Sequence, residues 1–573
     1  MPVHILGLNA HVHASAAALM ADGQVIAAAQ EERFVREKYS GRFPEMAIRY
    51  CLDEAGLDPS GLDAVAYYWK PWKGLLDRAL IILRAVPHSL ALFEHHDLAR
   101  GGPKTVLDHA CLQRTLKLRT GIKCPVYFVE HQLCHASSAF YPSGFDTAAV
   151  LSLDLAGEID STLAAIGEGT RLTPLWVTKY PHSVGHFYGA ITQYLGFRPN
   201  ADEYRVMALA AYGADSHYPL LKELVALLPD GQFRLDLRYF VHHWGQDTWY
   251  SARLVDLLGP PRDGQDPLSE GRFANIAFAA QRLCEDICLH VARALRKRTG
   301  RDRLCLAGGV ALNGVMNHCI LGEEVFREVF VPPCPNDPGT AVGAPLFVWH
   351  SIMKRVEKHV QSAYLGPQYS TADIEKACAS RRLRFRRCCD PAKEGAQAIA
   401  AGNVMGWYQG RMEFGQRALG NRSILADPRC ATMKERMNQK VKFRETFRPF
   451  GGSVPEEVFA DYFDMEDPSP YMLQVCTVKP EIRCKLPAIT HVDGTCRPQT
   501  VAKSDNVLFW SLLRQFEGLT GVPVVVNTSF NRAGEPIVCS PEDAIACFLE
   551  TGIDVLIMGD YVLRKEDAVL YGD

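Results

Sequence analysis

The stretch YFVEHQLCHASSAFYPSGFDTAAVLSLDLAGE, residues 127–158, decides how the first half of this chain is organised. An apolar, β-rich run on either side predicts two strands, and the segment between them predicts a helix. His131 and His135 are four residues apart, so both imidazoles lie on one face of that helix. Asp154 ends the second strand, where its carboxylate can face the same pocket. The stretch therefore predicts α/β structure with a metal site, although such a histidine pair is more often packed or solvated.

Length and composition bound the class of protein. At 573 residues the chain is too long for one core, so two to four domains are expected. A hydrophobic content of 47% with 22% charged residues is that of an ordinary globular protein. A formal net charge of −3 provides no overall attraction to nucleic acid or to an anionic membrane, and we expect neither as a partner.

The 18 cysteines do not predict a disulfide framework, because no Cys-x-x-Cys occurs and most lie inside apolar helical or strand patterns. The N-terminus lacks the cationic segment and unbroken apolar run of a signal peptide. The most hydrophobic helix candidate is interrupted by Arg84, Pro87 and His88, so no membrane span is expected. We therefore expect a cytoplasmic protein with reduced thiols.

Local patterns place further elements along the first half. The N-terminal segment predicts strand, turn and strand with the turn at residues 21–23, and residues 214–265 show no regular pattern. A long helix is predicted over 271–299, ended by Gly300. An apolar strand, Arg303–Ala307, then runs into a double glycine.

Gly308 and Gly309 lie between that strand and a helix that begins near Asn313. Backbone N–H groups in such a turn can hold an anion or a ribose-phosphate, although a tight turn without a ligand is an equal alternative. The pattern breaks at Tyr364–Pro367, and a new alternation of helix and strand begins at Thr371–Ser380. This places a domain boundary near residue 365.

The second half carries a cluster of basic residues interleaved with glycines and short loops. Between Gly415 and Phe450 there are nine lysines and arginines against three acids. They are Arg417, Arg422, Arg429, Lys434, Arg436, Lys440, Lys442, Arg444 and Arg448. Such a set suits a polyanionic small molecule. A basic face for RNA is the alternative, but the segment has few aromatic residues for base stacking.

Asn527, Ser529 and Asn531 follow directly after a predicted strand, where a ligand-binding loop belongs in α/β architecture. The chain contains no G-x-x-x-x-G-K-[ST] motif, so a P-loop nucleotide site is excluded.

Ten stretches together resemble one family, the O-carbamoyltransferases of natural-product and nodulation-factor biosynthesis. They occur in the family's order and span nearly the whole chain. Among them are HILGLNAHVHASAAAL, AAQEERFVREK, VEHQLCHASSAFYPSGF, LAGGVALNGVMN, FVPPCPNDPGTAVGA, GRMEFGQRALGNRSILADPR, KVKFRETFRPF, HVDGTCRPQTV and VVNTSFNRAGEPIVCSPEDA.

The resemblance implies an N-terminal domain over 1–365 with the actin-like, sugar-kinase-like (ASKHA) fold and a C-terminal YrdC-like α/β domain over 366–573. The second domain would make carbamoyl-adenylate from carbamoyl phosphate and ATP, with magnesium. The first would transfer the carbamoyl group to a hydroxyl of a small secondary metabolite, as in antibiotic biosynthesis.

The resemblance also assigns site residues. The metal ligands would be His131, His135, Asp154 and Asp337, a donor set that suits iron(II) or another borderline divalent ion. His13 would be the base, with His11 as its rival. Nucleotide and phosphate contacts in both domains would come from Lys38, Gly308, Gly309, Asn313, Arg417, Lys442, Arg448, Arg497, Asn527 and Ser529.

Other functions stay open at this point. A tRNA threonylcarbamoyladenosine enzyme shares the chemistry but needs an RNA-docking surface. A sugar-kinase-like phosphotransferase would leave the basic second domain without a role, and a nucleotide sensor without activity is a third alternative. The sequence does not identify the acceptor, and it leaves a homo-oligomer open.

Overall fold

The computed structural model of the protein describes residues 2–90, 106–245, 247–264, 268, 271–360 and 362–569. The chain forms two compact units. The first comprises Met1–Glu31 and Tyr39–Gln361, and the second comprises Ser362–Asp573 together with Glu32–Lys38. We call Glu32–Lys38 the strap, because this short segment of the N-terminal sequence belongs to the second unit.

The first unit is built on two five-stranded sheets with the same topology. In sheet order the first contains Gln24–Gln30, Ala16–Ala21, His4–Asn9, Ala64–Tyr67 and Val126–Phe128. The second contains Arg171–Lys179, Asp160–Glu168, Thr147–Leu153, Arg303–Ala307 and Glu328–Phe330. In each, three antiparallel strands are followed by two strands parallel to the central one. This duplicated core is that of the predicted actin-like fold.

The helices of the first unit include His131–Phe140 and Arg272–Thr299, the two that the sequence indicated most clearly. The full set is Glu45–Glu54, Leu75–Arg84, Val106–Ala110, Leu112–Thr120, His131–Phe140, Val184–Tyr194, Glu203–Ala210, Tyr218–Lys222, Ala252–Leu258, Arg272–Thr299, Gly314–Gly322 and Thr340–Phe347. We call His131–Phe140 the histidine helix. The long helix Arg272–Thr299 ends at Gly300, whose φ of 64° lies in the left-handed region, as predicted.

Two expectations for the first unit are wrong. The N-terminal segment forms three strands, because a further break at residues 10–15 separates His4–Asn9 from Ala16–Ala21. Residues 214–265, for which the sequence predicts no regular structure, contain helices and a two-stranded sheet of Val225–Leu227 and Phe233–Leu235. The apolar residues of this segment occur in short runs that are buried against residues far away in the sequence. Such short runs show little helical or strand periodicity.

The second unit is α/β, with an eight-stranded mixed sheet and a smaller three-stranded one. The large sheet contains, in order, Arg386–Arg387, Tyr561–Arg564, Val555–Met558, Met405–Tyr408, Arg422–Ala426, Val525–Ser529, Gly451–Pro455 and Pro498–Val501. The small sheet contains Phe463–Asp464, Cys476–Val478 and Thr495–Cys496. Asn527 and Ser529 therefore lie within a strand and not after it, which corrects the sequence-based placement.

Helices pack against the large sheet around a core that includes Trp407, Leu512 and Phe516. The helices of this unit are Glu32–Val35, Thr371–Ser380, Pro391–Ala400, Met433–Lys440, Phe459–Tyr462, Val507–Thr520, Pro541–Glu550 and Lys565–Val569. Thr371–Ser380 begins with a capping box formed by Ser370 and Asp373, which explains its sharp start.

All 18 cysteines are free thiols in the structure. Within the described ranges, no helix combines the length and the hydrophobicity that crossing a bilayer requires.

Candidate functional site

The first unit brings four predicted metal ligands together. Nε2 of His131 lies 3.0 Å from Nε2 of His135 and 3.1 Å from Oδ2 of Asp154. Oδ1 of Asp337 lies 3.8 Å from Nε2 of His131 and 3.7 Å from Nε2 of His135. One ligand atom from each residue falls within 4.8 Å of all the others. We call these four residues the donor cluster.

The donor cluster fits a divalent ion. Ligands that lie about 2.0–2.2 Å from one ion are separated from each other by roughly 3–3.6 Å, close to the spacings found here. Two imidazoles with two carboxylates are the donors of a borderline ion such as iron(II) or zinc. Nδ1 of both histidines is buried and has no hydrogen-bond partner among the described residues.

In the donor cluster, the carboxylates and the imidazoles shift each other's pKa in opposite directions. Burial raises the pKa of Asp154, but the two imidazoles outweigh burial and hold that pKa well below its usual range. Burial lowers the pKa of His135, but the carboxylates of Asp154 and Asp337 outweigh it and raise the pKa to about 9. The two carboxylates thus favour a cation between them, either a proton on His135 or a bound metal ion.

Two residues outside the donor cluster hold it in place. Oε1 of Glu158, a buried carboxylate, accepts the backbone N–H of His131 at 3.0 Å and that of Lys70 at 2.8 Å. This fixes the first turn of the histidine helix, where a negative charge also complements the helix dipole. Gly309 donates its N–H to Oδ1 of Asp154 at 2.9 Å. Glu158 is not among the residues predicted for the site, although it lies four residues after Asp154 in the segment 127–158.

The double-glycine turn lies beside the donor cluster because two parallel strands end there. Gly308 follows Arg303–Ala307, and Asp154 follows the neighbouring strand Thr147–Leu153. Asn313 caps the next helix by accepting from Met316 N–H, and its amide donates to Gln281 at 2.9 Å. The three predicted nucleotide contacts of the first unit are therefore in one region.

The two candidate bases occupy different environments. The His13 ring stacks on Tyr39 with 5.0 Å between centroids. His11 has a left-handed backbone, with φ of 86°, and its Nε2 is buried without a hydrogen-bond partner among the described residues. Burial lowers the pKa of His11 to about 4, so this ring is neutral.

Trp69, one of the aromatic residues near the donor cluster, is packed on several sides. Its ring stacks on His109 at 5.1 Å, meets His131 edge-on at 5.6 Å, and lies 5.6 Å from the Arg78 guanidinium. Only 8% of Trp69 is exposed, so its ring is part of the packing and is not an open stacking platform.

The second unit concentrates positive charge where the sequence predicted a polyanion site. The cation cluster, as we call it, consists of Lys38, Lys434, Lys442, Arg444, Arg448 and Arg497. Burial together with Arg444, Arg448 and Lys38 holds the pKa of Lys442 well below its usual range. Burial and then Arg448 lower the pKa of Arg497 to about 10. Cations that lower each other's pKa in this way repel one another, and a bound anion would relieve that repulsion.

Lys442 is held by the end of the strand that carries the predicted polar residues. Its Nζ donates to Oδ1 of Asn531 at 2.8 Å, to the Asn531 carbonyl at 3.1 Å and to Oγ of Ser529 at 3.3 Å. Asn527, in contrast, is fully buried, and its amide donates to Ser453 and Gln499. Arg417 lies in the loop in which Gly415 accepts from Arg33 of the strap at 2.8 Å.

The chain matches two family models along most of its length. Residues 4–346 match the carbamoyltransferase N-terminus, and residues 396–565 match the carbamoyltransferase C-terminus. The chain belongs to the carbamoyltransferase family. It is therefore an enzyme that transfers a carbamoyl group, and the predicted fold class is confirmed.

Relatives of this carbamoyltransferase cover nearly the same length. An uncharacterized protein of Synechocystis is 42% identical, over 98% of this chain and 97% of the relative. Nodulation protein NolNO of Sinorhizobium fredii is 38% identical over 98% of this chain and 80% of the relative. Nodulation protein NolO of Bradyrhizobium diazoefficiens is 38% identical over 77% of this chain and 80% of the relative.

Proposed function

We propose that this carbamoyltransferase is an ATP- and carbamoyl phosphate-dependent O-carbamoyltransferase. The observation that carries the proposal is the presence, in one carbamoyltransferase chain, of a buried two-histidine, two-carboxylate cluster and a separate cation cluster. The first suits activation of a carbamoyl carbonyl, and the second suits phosphate groups.

The first half-reaction belongs to the second unit. Carbamoyl phosphate, ATP and water give carbamoyl-adenylate, pyrophosphate and inorganic phosphate. Lys38, Lys442, Arg448 and Arg497 would bind the phosphate groups and neutralise the charge that develops on the leaving pyrophosphate. Arg417 and Ser529 would complete the pocket, and Asn527 would support the strand beneath it.

The second half-reaction belongs to the first unit. An acceptor hydroxyl attacks the carbamoyl carbon, the bond to the adenylate oxygen breaks, and the products are an O-carbamate and AMP. A metal ion held by His131, His135, Asp154 and Asp337, for which iron(II) is our proposal, would supply Lewis acidity to the carbonyl. Gly308, Gly309 and Asn313 would hold the adenosine side of the adenylate.

His13 would take the proton of the acceptor hydroxyl, a role that suits an imidazole near neutral pH. His11 is the second candidate, since its neutral ring has a buried, unpartnered nitrogen. Replacing each by alanine separates them, because only loss of the base abolishes transfer while adenylate formation continues.

The acceptor would be a small molecule with a hydroxyl group, and the enzyme would act in the cytoplasm without nucleic acid. Two relatives are named nodulation proteins, which supports a small-molecule acceptor. The segments 60–120 and 214–265 would contribute to acceptor specificity. Their residues 91–105, 246 and 265 lie outside the described part of the chain.

The test is the set of products formed by the purified full-length protein from ATP and carbamoyl phosphate. The proposal expects pyrophosphate that depends on carbamoyl phosphate, and AMP when an acceptor is added. ADP as the product would support a phosphotransferase instead. Incorporation of threonine into tRNA would support the threonylcarbamoyladenosine alternative.

A further inference from the structure

The second unit contains a histidine that the predicted site does not include. His491 is the sole histidine of residues 362–573, and it precedes the short strand Thr495–Cys496. Its backbone N–H donates to the Thr495 carbonyl at 2.8 Å, and its Nδ1 lies 3.1 Å from Oγ1 of Thr495. Oγ1 of Thr495 in turn lies 2.7 Å from Oδ1 of Asp493.

These contacts fix the tautomer of the imidazole. A carboxylate only accepts hydrogen bonds, so the Thr495 hydroxyl must donate its single proton to Asp493. The hydroxyl oxygen can then only accept, and Nδ1 of His491 must be the protonated nitrogen. Nε2 therefore carries a lone pair and not a proton.

That lone pair faces an unusual environment. Nε2 of His491 is buried and has no hydrogen-bond partner among the described residues. Burial lowers the pKa of His491, Arg497 and Lys434 lower it further, and Asp493 and the Phe450 carbonyl oppose them. Arg497 and Lys434 are members of the cation cluster, so a hydrogen-bond acceptor stands among groups that bind anions.

A hydrogen-bond acceptor in this position cannot pair with a phosphate group, because a deprotonated phosphate has only acceptor oxygens. It suits a ligand that has an anionic end and an N–H or O–H donor at the other. Carbamoyl phosphate has this pattern, because its phosphate is anionic and its carbamoyl amide donates two N–H bonds.

We propose that Nε2 of His491 accepts a hydrogen bond from the carbamoyl amide and thereby selects carbamoyl phosphate over other acyl phosphates. This specificity role rests on the proposed function. Thr495 and Asp493 would be positioning residues, which keep the Nε2 lone pair directed at the amide. A pocket built to pair with an N–H rejects an isostere that lacks it, since the acceptor is then left buried and unpaired.

The test is direct binding of two ligands to the full-length protein by calorimetry. Acetyl phosphate has nearly the shape of carbamoyl phosphate but carries a methyl group in place of the amide. We expect the wild-type protein to prefer carbamoyl phosphate. The His491→Ala variant should bind carbamoyl phosphate about tenfold more weakly and acetyl phosphate as before, so that the preference largely disappears.

A second pair of variants distinguishes loss of the hydrogen bond from misfolding of the His491→Ala protein. Thr495→Val keeps the histidine but removes the oxygen that fixes its tautomer, so it should also reduce the preference. Thr495→Ser keeps that oxygen and should retain the preference for carbamoyl phosphate. A purely structural role would weaken both ligands equally and would overturn the proposal.

Equal binding of the two ligands by the wild-type protein would also overturn the proposal, even if pyrophosphate is formed. The proposed function fails separately, if the wild-type protein discriminates between the ligands but releases no pyrophosphate from ATP.

Discussion

Asp154 and Gly309 are joined by a hydrogen bond in which Gly309 N–H donates to Oδ1 at 2.9 Å. The other oxygen of Asp154 lies 3.1 Å from Nε2 of His131. One carboxylate thus connects the double-glycine turn with the donor cluster. The position of a ligand bound on the turn would therefore be fixed relative to the donor cluster through the single side chain of Asp154.

Gly309→Ala tests this connection. An added Cβ would lie 3.0 Å from Oδ1 of Asp154, so the carboxylate must shift and the N–H contact must lengthen. We expect metal affinity to fall by about 10–100-fold, as when other groups that orient metal ligands are lost. Metal titration of the apoprotein measures this. Gly322→Ala is the matched control, because its Cβ would meet only His318, at 3.9 Å.

Loss of a donor should separate the two half-reactions. We expect His135→Ala to copurify with little metal and to lose carbamoyl transfer, because one of four donors is gone. Pyrophosphate release should continue, since the cation cluster belongs to the other unit. Metal analysis and the two product assays on one preparation measure this. Equal metal content in the variant and the wild type would contradict the assignment of this ligand.

Glu158 should act through the position of the histidine helix. Glu158→Ala would leave the N–H groups of His131 and Lys70 without their acceptor, at a cost of about 1–3 kcal/mol in the free energy of unfolding. We expect weaker metal binding as well, because His131 begins that helix. Glu158→Gln keeps an acceptor oxygen and should recover most of the affinity. Glu223→Ala, at an exposed position of the same unit, is the control for both denaturation and metal titration.

Elements with complete local signals could be predicted from the sequence. The helix Arg272–Thr299, its end at Gly300 and the strand Arg303–Ala307 each have their periodicity and their terminating residue within one segment. The strand Arg171–Lys179 was missed because it lies at a sheet edge and contains Pro174, which is tolerated only where a ladder hydrogen bond is not required.

The composition of the sites depends on partners that are distant in the sequence. His131, His135 and Asp154 could be grouped from one stretch, whereas Asp337 was assigned only through the family resemblance. Nothing local in the strap indicates that Arg33 donates to Gly415 or that Lys38 adds to the charge around Lys442. Such contacts are fixed by tertiary packing and not by local propensity.

Lys442 should couple phosphate binding to proton uptake. Because burial and neighbouring cations lower its pKa, the folded protein binds fewer protons than the unfolded chain between that lowered value and about 10.4. Across this window the contribution of Lys442 to the free energy of unfolding rises with pH, and below it the contribution is a constant penalty. A bound phosphate raises the pKa again, so protons are taken up on binding at pH values inside this window.

Calorimetry of phosphate binding in two buffers with different ionisation enthalpies measures that uptake. The Lys442→Met variant should bind phosphate more weakly and should take up fewer protons. Lys503→Met, at an exposed position, is the control. An unchanged proton count in Lys442→Met would show that another group takes up the protons.

The strap should determine how well the second unit holds its phosphate ligands. Arg36 donates to the carbonyls of Ile537 and Pro536 at 2.7 and 2.9 Å. These carbonyls belong to the loop that begins at Asn531, one of the residues that hold Lys442. Arg36→Ala should loosen this loop and raise the KM for ATP in pyrophosphate release several-fold, with a smaller effect on kcat. Arg36→Lys should not restore the KM, because an ammonium group cannot span two carbonyls as a planar guanidinium does. Arg49→Ala, an exposed position in the helix Glu45–Glu54, is the control, and the role of the strap is contradicted if both alanine variants have the wild-type KM.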